Sequence, residues 1–328
     1  MRTPPKRATI TDVARDAGVS LKTVSRVMNG VPTVDARMRE DVLAAAKRLG
    51  YRPHRGAATM RSGRSSMVGM IIRDMTNPFY STVAAGAADE AEEHHCLLIT
   101  CSSEGSPQRQ AELAEAVFAQ RPGGLLITPT RGTDATIAAE VAMGTPVVAV
   151  DERLDGLTVD TVSFDNHRAA RGAVAAAIRM GRRRFAALSD SDALATMPLR
   201  VAGATEALTE GGLAFGQGHV LTGIHTEPEA RAAAAQLLSV AEPPDAIFCA
   251  NNVSAIGAAA EIHQRGLDVA IVVFDEFPLS RTLPFPVVAI DHDDREMGRA
   301  AARLLFRRVA EPSRPVENVV IPTTLRTH

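Results

Sequence analysis

The 328 residues contain no tryptophan, two tyrosines and three cysteines, and what is missing narrows the field before any motif is read. Cys96, Cys101 and Cys249 sit in or beside apolar runs without the spacing of metal ligands, so they read as reduced core thiols rather than a disulfide or metal framework. No apolar stretch reaches the roughly 20 residues that span a bilayer. The opening MRTPPKRATI lacks an apolar h-region, so a cytoplasmic protein without a secretory signal is expected. No G-x-G-x-x-G follows a strand, and neither a phosphate loop nor a G-x-S-x-G elbow is present, so neither an enzyme nor a cofactor is expected.

Lysine is scarce and placed unevenly: Lys6, Lys22 and Lys47 are the only three, all near the start. Residues 1–64 hold 14 lysines and arginines against 5 acidic residues, a net of +9; the remainder holds 22 against 33, a net of −11. A basic head on an acidic body points to a polyanionic partner for the head alone.

Within that head, TITDVARDAGVSLKTVSRVMNG (residues 9–30) parses as two short helices joined by a tight turn. Thr9 and Asp12 have capping-box spacing, Gly18 suits a left-handed stop, Ser20 suits the next N-cap and Gly30 the next stop. In the second helix Val24, Val27 and Met28 share one face, ready to bury against Val13, Ala14 and Ala17. Leu21, Lys22, Ser25, Arg26 and Asn29 share the other, which is the equipment of a helix lying in a DNA major groove. A helical hairpin with a solvated polar face is the alternative. A third helix is expected over 34–49, starting near Asp35, ending at Gly50, with Val42, Leu43, Ala46 and Leu49 inward. YRPHRGAATMRSGRSS (51–66) reads as a linker whose middle has the makings of one or two helical turns.

From Met67 the pattern becomes VGMII, CLLIT, GLLIT, PVVAV, TVSF, RFAAL, AIFCA, AIVVF and PVVAI, mostly separated by alanine-rich helices. Continuous apolar strands alternating with helices indicate α/β architecture with parallel sheets covered on both faces. About ten strands in some 260 residues suit two lobes. Asp74, Ser102, Thr128, Asp151, Asp190, Asn251 and Asp275 fall at strand C-terminal ends, where open α/β sheets bind ligands. Singly each suits a turn or helix cap; together they mark a polar cleft. AIDHDD gathers carboxylates around His292, which a strand-end turn explains as well as a metal site does, and His94–His95 do not share a helix face; no metal is expected.

VARDAGVSLKTVSRVMNG, GYRPHRGAATMRSGRS, DMTNPFYSTVAAG, LRVAG, CANN and VVFDE together resemble the LacI/GalR family of bacterial transcriptional regulators, over residues 8 to 327. The resemblance implies a three-helix helix-turn-helix headpiece (8–50), a hinge (51–66) and a periplasmic-binding-protein-like body (67–328) for effector binding and dimerisation. The body would have an N-lobe of about 67–164 and 293–319 and a C-lobe of about 165–292 and 320–328. It implies that Leu21, Lys22 and Arg26 read bases, and that Ser20, Thr23, Ser25 and Asn29 contact phosphates. Met60 would wedge into the minor groove, flanked by Arg55 and Ala57. His54 and Gly56 depart from the family's usual hinge, and glycine lowers helix stability by about 1 kcal/mol against alanine.

In the cleft the resemblance implies an effector gripped by Arg200, accepted by Asp275, walled by Asn251, Asp151 and Asp74, with Phe79 and Tyr80 as an apolar platform. Asp275 as a helix cap and Phe79 as ordinary core are the alternatives. Absent tryptophan removes a common stacking surface for sugars, leaving sugars, sugar phosphates, sugar acids or a nucleobase. The implied function is a repressor binding a near-palindromic double-stranded operator as a homodimer under control of a small molecule; the alternative is a solute-binding protein for transport. Helices near 79–92 and 297–309 are the implied dimer elements, and with no C-terminal leucine heptad a tetramer is not expected.

Overall fold

A computed structural model describes residues 8–28, 31–51, 66–132, 134–192 and 194–328. Asn29, Gly30 and the expected hinge positions His54, Arg55, Gly56, Ala57 and Met60 lie outside the described residues. The chain divides into two units, one up to residue 66 and one from Met67 onward.

In the first unit, α1 (Ile10–Asp16), α2 (Leu21–Met28) and α3 (Ala36–Leu49) form a three-helix cluster. The start of α1 is a capping box: Thr9 Oγ1 accepts from the Asp12 backbone N–H, and the Asp12 carboxylate accepts from that of Thr9. Gly18, at φ 65, turns the chain out of α1, and Ser20 Oγ accepts from the Thr23 N–H at 3.1 Å to open α2. Asp35 caps α3 through the N–H groups of Arg37 and Met38, and Gly50 ends it at φ 62. The core is Val13, Ala14, Val24, Val27, Val42, Ala45 and Ala46. Leu43 and Leu49, expected inside, are 49% and 38% exposed. Three closely spaced short helices leave room for Ala45 where a leucine would force them apart, and the inner stripe of α3 runs through 42, 45 and 46 instead.

The second unit contains two six-stranded sheets among the described residues. The first holds β1 (Met67–Ile72), β2 (Leu97–Ser102), β3 (Leu125–Ile127), β4 (Val147–Val150), β5 (Asp160–Phe164) and the late β11 (Asn318–Ile321), all parallel, in the order β11-β5-β4-β3-β1-β2. The second holds β6 (Phe185–Leu188), β7 (Phe215–Leu221), β8 (Ala246–Cys249), β9 (Ala270–Phe274), β10 (Val287–His292) and β12 (Thr323–Thr327), in the order β12-β10-β9-β8-β6-β7, parallel except for β12 against β10. Central strands such as β4, β8 and β9 are buried throughout, which is why VVAV, AIFC and AIVVF carry no polar alternation.

The first sheet is flanked by α4 (Pro78–Glu93), α5 (Pro107–Ala119), α6 (Ala135–Ala142) and α11 (Asp294–Ala310). The second is flanked by α7 (Asn166–Arg179), α8 (Thr196–Glu210), α9 (Glu227–Leu237) and α10 (Asn252–Arg265). The chain passes between lobes three times, at 164–166, 292–294 and 321–323. At the start of β5, Asp160, fully buried, receives Arg308 through Nε and Nη2 at 3.0 and 2.9 Å and the Glu317 N–H at 2.8 Å, fastening β5 to α11 and to the approach of β11. Among the described residues no helix is long and apolar enough to cross a membrane.

Candidate functional site

On α2 the inward side chains Val24 and Val27 are buried, which fixes what points out. Leu21 is 49% exposed, and Lys22 and Arg26 are exposed beside it; Thr23 and Ser25 are half-buried. Ser20 Oγ and Thr23 Oγ1 lie 2.9 Å apart, so both hydroxyls of the helix start are already engaged with each other. Arg26 Nη2 donates to Thr33 Oγ1 in the turn before α3, a partner with no sequence signal.

The cleft between the lobes encloses about 490 Å³. Asp74 follows β1, Asp151 follows β4, Asn251 follows β8 and Asp275 follows β9, so each strand end delivers a polar group to the same opening. Phe79 and Tyr80 enter from the first turn of α4, and Arg200 from α8. The seven cleft positions singled out in the sequence therefore line one cavity. Asp190 lines it too, whereas Ser102 and Thr128 do not. Tyr80 and Phe79 meet edge to face at 4.9 Å.

Arg200 is 4% exposed and well held. Its Nε donates to Asn166 Oδ1 at 2.8 Å and its Nη1 to the Ala250 carbonyl at 2.7 Å; the guanidinium lies 3.5 Å above the Phe274 ring centre, with Asp275 at 4.0 Å. Asp275 Oδ1 in turn contacts His292 Nε2 at 2.6 Å, and His292 Nδ1 contacts Asp294 Oδ1 at 2.5 Å. Both imidazole nitrogens are thus taken, at the second lobe crossing, while the ring stacks on Phe164 of the first crossing at 4.2 Å. Burial opposes a charged His292, but hydrogen bonds to Asp275 and Asp294 outweigh it and lift its pKa to about 10. Burial likewise opposes a charged Asp275, and the His292 hydrogen bond and the Arg200 charge reverse that, leaving its pKa below the ordinary value.

Asp151 lacks such company. Burial raises its carboxyl to about 7, with the negative charges of Glu152 and Asp275 adding to it against Arg200 and His292. Its Oδ1 is buried with no hydrogen-bond partner among the described residues. Asp151 and Asp275 both adopt the left-handed backbone, at φ 67 and 78, a conformation that costs a non-glycine residue roughly 1–3 kcal/mol.

Two contacts made by cavity-lining residues bridge the lobes. Asn77 and Asn252 exchange amide hydrogen bonds at 3.1 and 3.4 Å. Glu152, whose pKa burial raises, accepts from the Ala195 N–H and the Thr196 hydroxyl, each at 3.1 Å. Asn166 and Glu152 carry no sequence signal; Asn77 and Asn252 lie in the DMTNPFYSTVAAG and CANN stretches, but nothing in the sequence pairs them. His292 had a signal, the acidic cluster around it, but its geometry is that of an ion-paired strut.

A helix-turn-helix unit followed by a two-lobed body with its cavity between parallel sheets is the build of an effector-controlled DNA-binding regulator. The sequence model described as periplasmic binding proteins and sugar binding domain of LacI family matches residues 65–328, and that of the bacterial regulatory proteins, lacI family, matches residues 9–54. Catabolite control protein A of Priestia megaterium is 31% identical over 304 residues, covering 91% of this chain and 92% of that protein. The transcriptional repressor CytR of Escherichia coli (strain K12) is 28% identical over 304 residues, covering 91% and 89%. The lac repressor dimer bound to operator and the anti-inducer ONPF aligns with a TM-score of 0.85 at 25% identity over 98% of both chains, and a CelR–cellobiose complex with 0.71 at 28% over 98% of both. The chain belongs to the LacI family. It is a DNA-binding transcriptional regulator; CytR among its relatives is a repressor, and the match over residues 9–54 disfavours a transport receptor.

Proposed function

We propose that the protein represses transcription from the cytoplasm as a homodimer, each headpiece reading half of a near-palindromic operator, with a sugar or sugar derivative in the cleft setting the lobe angle. The convergence of Asp74, Phe79, Tyr80, Asp151, Arg200, Asn251 and Asp275, from both lobes, on one cavity carries this reading. A ligand touching both lobes binds one relative arrangement better than another, and only that difference lets it act on DNA affinity.

At the DNA, Leu21, Lys22 and Arg26 are assigned base contacts, and Ser20, Thr23, Ser25 and Asn29 phosphate contacts. Arg55, Ala57 and Met60 are assigned the minor groove. The outer faces of α4 and α11 are assigned to the dimer. One headpiece spans few base pairs, so two copies are needed for affinity and specificity. The test is a footprint of full-length protein on genomic fragments, with stoichiometry by light scattering and a sugar panel added. Two protomers on one near-palindrome, with occupancy altered by a panel member, are expected. Equal binding to random duplex would end the proposal.

A further inference from the structure

We propose that the effector carries a protonated amine beside its hydroxyls, and that Asp151 receives the ammonium. The proposal rests on the reading of the cleft as the effector site.

The cavity wall is strongly acidic. Asp74, Glu104, Asp151, Glu152, Asp190 and Asp275 face it, against Arg73, Arg200 and His225. Several of these carboxylates already have partners within the protein. Asp275 has His292 and Arg200, Asp190 has His225 at 2.5 Å, and Glu152 accepts hydrogen bonds from Ala195 and Thr196. Arg200 is committed to Asn166, Ala250 and the Phe274 ring, which leaves only its Nη2 edge for a guest. An incoming phosphate or carboxylate would add negative charge to an acidic wall where Arg200 has one edge left to offer.

On this wall the buried carboxylate oxygen left without a hydrogen-bond partner among the described residues belongs to Asp151. The residue is 6% exposed, and the oxygen is its Oδ1. A buried carboxylate in that position stays ionised only when a cation and a hydrogen-bond donor reach it. A neutral hydroxyl supplies the hydrogen bond and leaves the charge unanswered. An ammonium supplies both. The raised Asp151 pKa agrees with a carboxyl waiting for a counter-charge. Tyr80 and Phe79, at the same wall, accommodate the carbon framework that holds the amine and hydroxyls together.

The experiment offers full-length protein a panel of pentoses, hexoses and disaccharides, each as the neutral sugar, the amino-deoxy sugar, the phosphate and the sugar acid. Binding is read by thermal shift and then calorimetry. The best ligand is expected to be an amino form binding about tenfold or more tighter than its neutral counterpart, with the anionic counterparts weakest. Asp151→Asn, shown folded by its melting transition, is expected to bring the ratio between amino and neutral forms to about one. A neutral or anionic form that binds as tightly as its amino counterpart overturns the proposal and leaves the effector site standing. A ratio unchanged in Asp151→Asn overturns the assignment to that carboxylate. Failure of every form to bind removes the effector-site reading, and the proposal with it.

Discussion

Arg200 is mostly occupied before any ligand arrives. Its bonds to Asn166 and Ala250 lock the guanidinium plane, so what it offers a ligand is one pre-aimed edge. Arg200→Ala is expected to abolish the effector response in an operator-binding assay. It also leaves the buried Asn166 Oδ1 and Ala250 carbonyl without their donor while Asp275 keeps His292, costing about 1–3 kcal/mol in urea unfolding. A retained response would place the effector elsewhere. His292 makes a pH-dependent contribution of definite sign. Its folded pKa of about 10 lies above its ordinary 6.5, so the stabilisation is complete below 6.5 and is lost as pH rises through 10. The melting temperature is expected to fall between pH 7 and pH 10.5, and His292→Gln to flatten that fall; parallel curves would show that the charged pair adds nothing. At α2, Arg26→Ala is expected to cost sequence preference, about 1–3 kcal/mol between operator and scrambled duplex, more than non-specific affinity. An equal loss on both would reduce Arg26 to a phosphate contact. Asp151 and Asp275 were legible because each ends an apolar strand. Two pairings were not: His292 comes 17 residues after its partner Asp275 on another strand, and Thr33 reaches Arg26 across a turn.

Among elements, the central strands and their helices were legible because complete burial leaves an unbroken apolar run. Three edge strands were not. β7 (FGQGHVL) is half-exposed and holds two glycines, β12 (TTLRT) is largely exposed, and β11 (NVVI) is four residues long. Their pairing comes from a neighbouring strand rather than from their own side chains, so sequence pattern fades where water replaces core. The expected dimer helices show a different limit. Each reads as a plain amphipathic helix, yet α4 and α11 cross backbone to backbone through Gly86 and Gly298. A Cβ at Gly86 would come within 1.9 Å of the Arg295 carbonyl oxygen, and one at Gly298 within 1.9 Å of that of Val83. Neither obstacle is a side chain able to turn away. Gly298→Ala is expected to destabilise the body by about 1–3 kcal/mol or more in urea unfolding, the range for overpacking. A neutral result would mean that the two helices separate freely, and would weaken their assignment to a rigid dimer face.

For the whole molecule, charge is sorted by function: +9 in the first 64 residues and −11 in the rest. Operator affinity is expected to fall about 10³–10⁵-fold between 50 and 200 mM salt, because a dimer making 6–10 phosphate contacts releases that many counterions. A flat salt profile would mean the basic head is not the DNA-binding surface. The body's sheets carry another consequence. β11 completes the first sheet and β12 the second, although both come after residue 317. During synthesis neither lobe can close its sheet until this late segment leaves the ribosome, whereas the last headpiece helix ends at Leu49. At about 5–20 residues per second, the headpiece helices precede the finished body by tens of seconds. A message cut short anywhere in between would release headpiece helices without the finished body that carries the cleft.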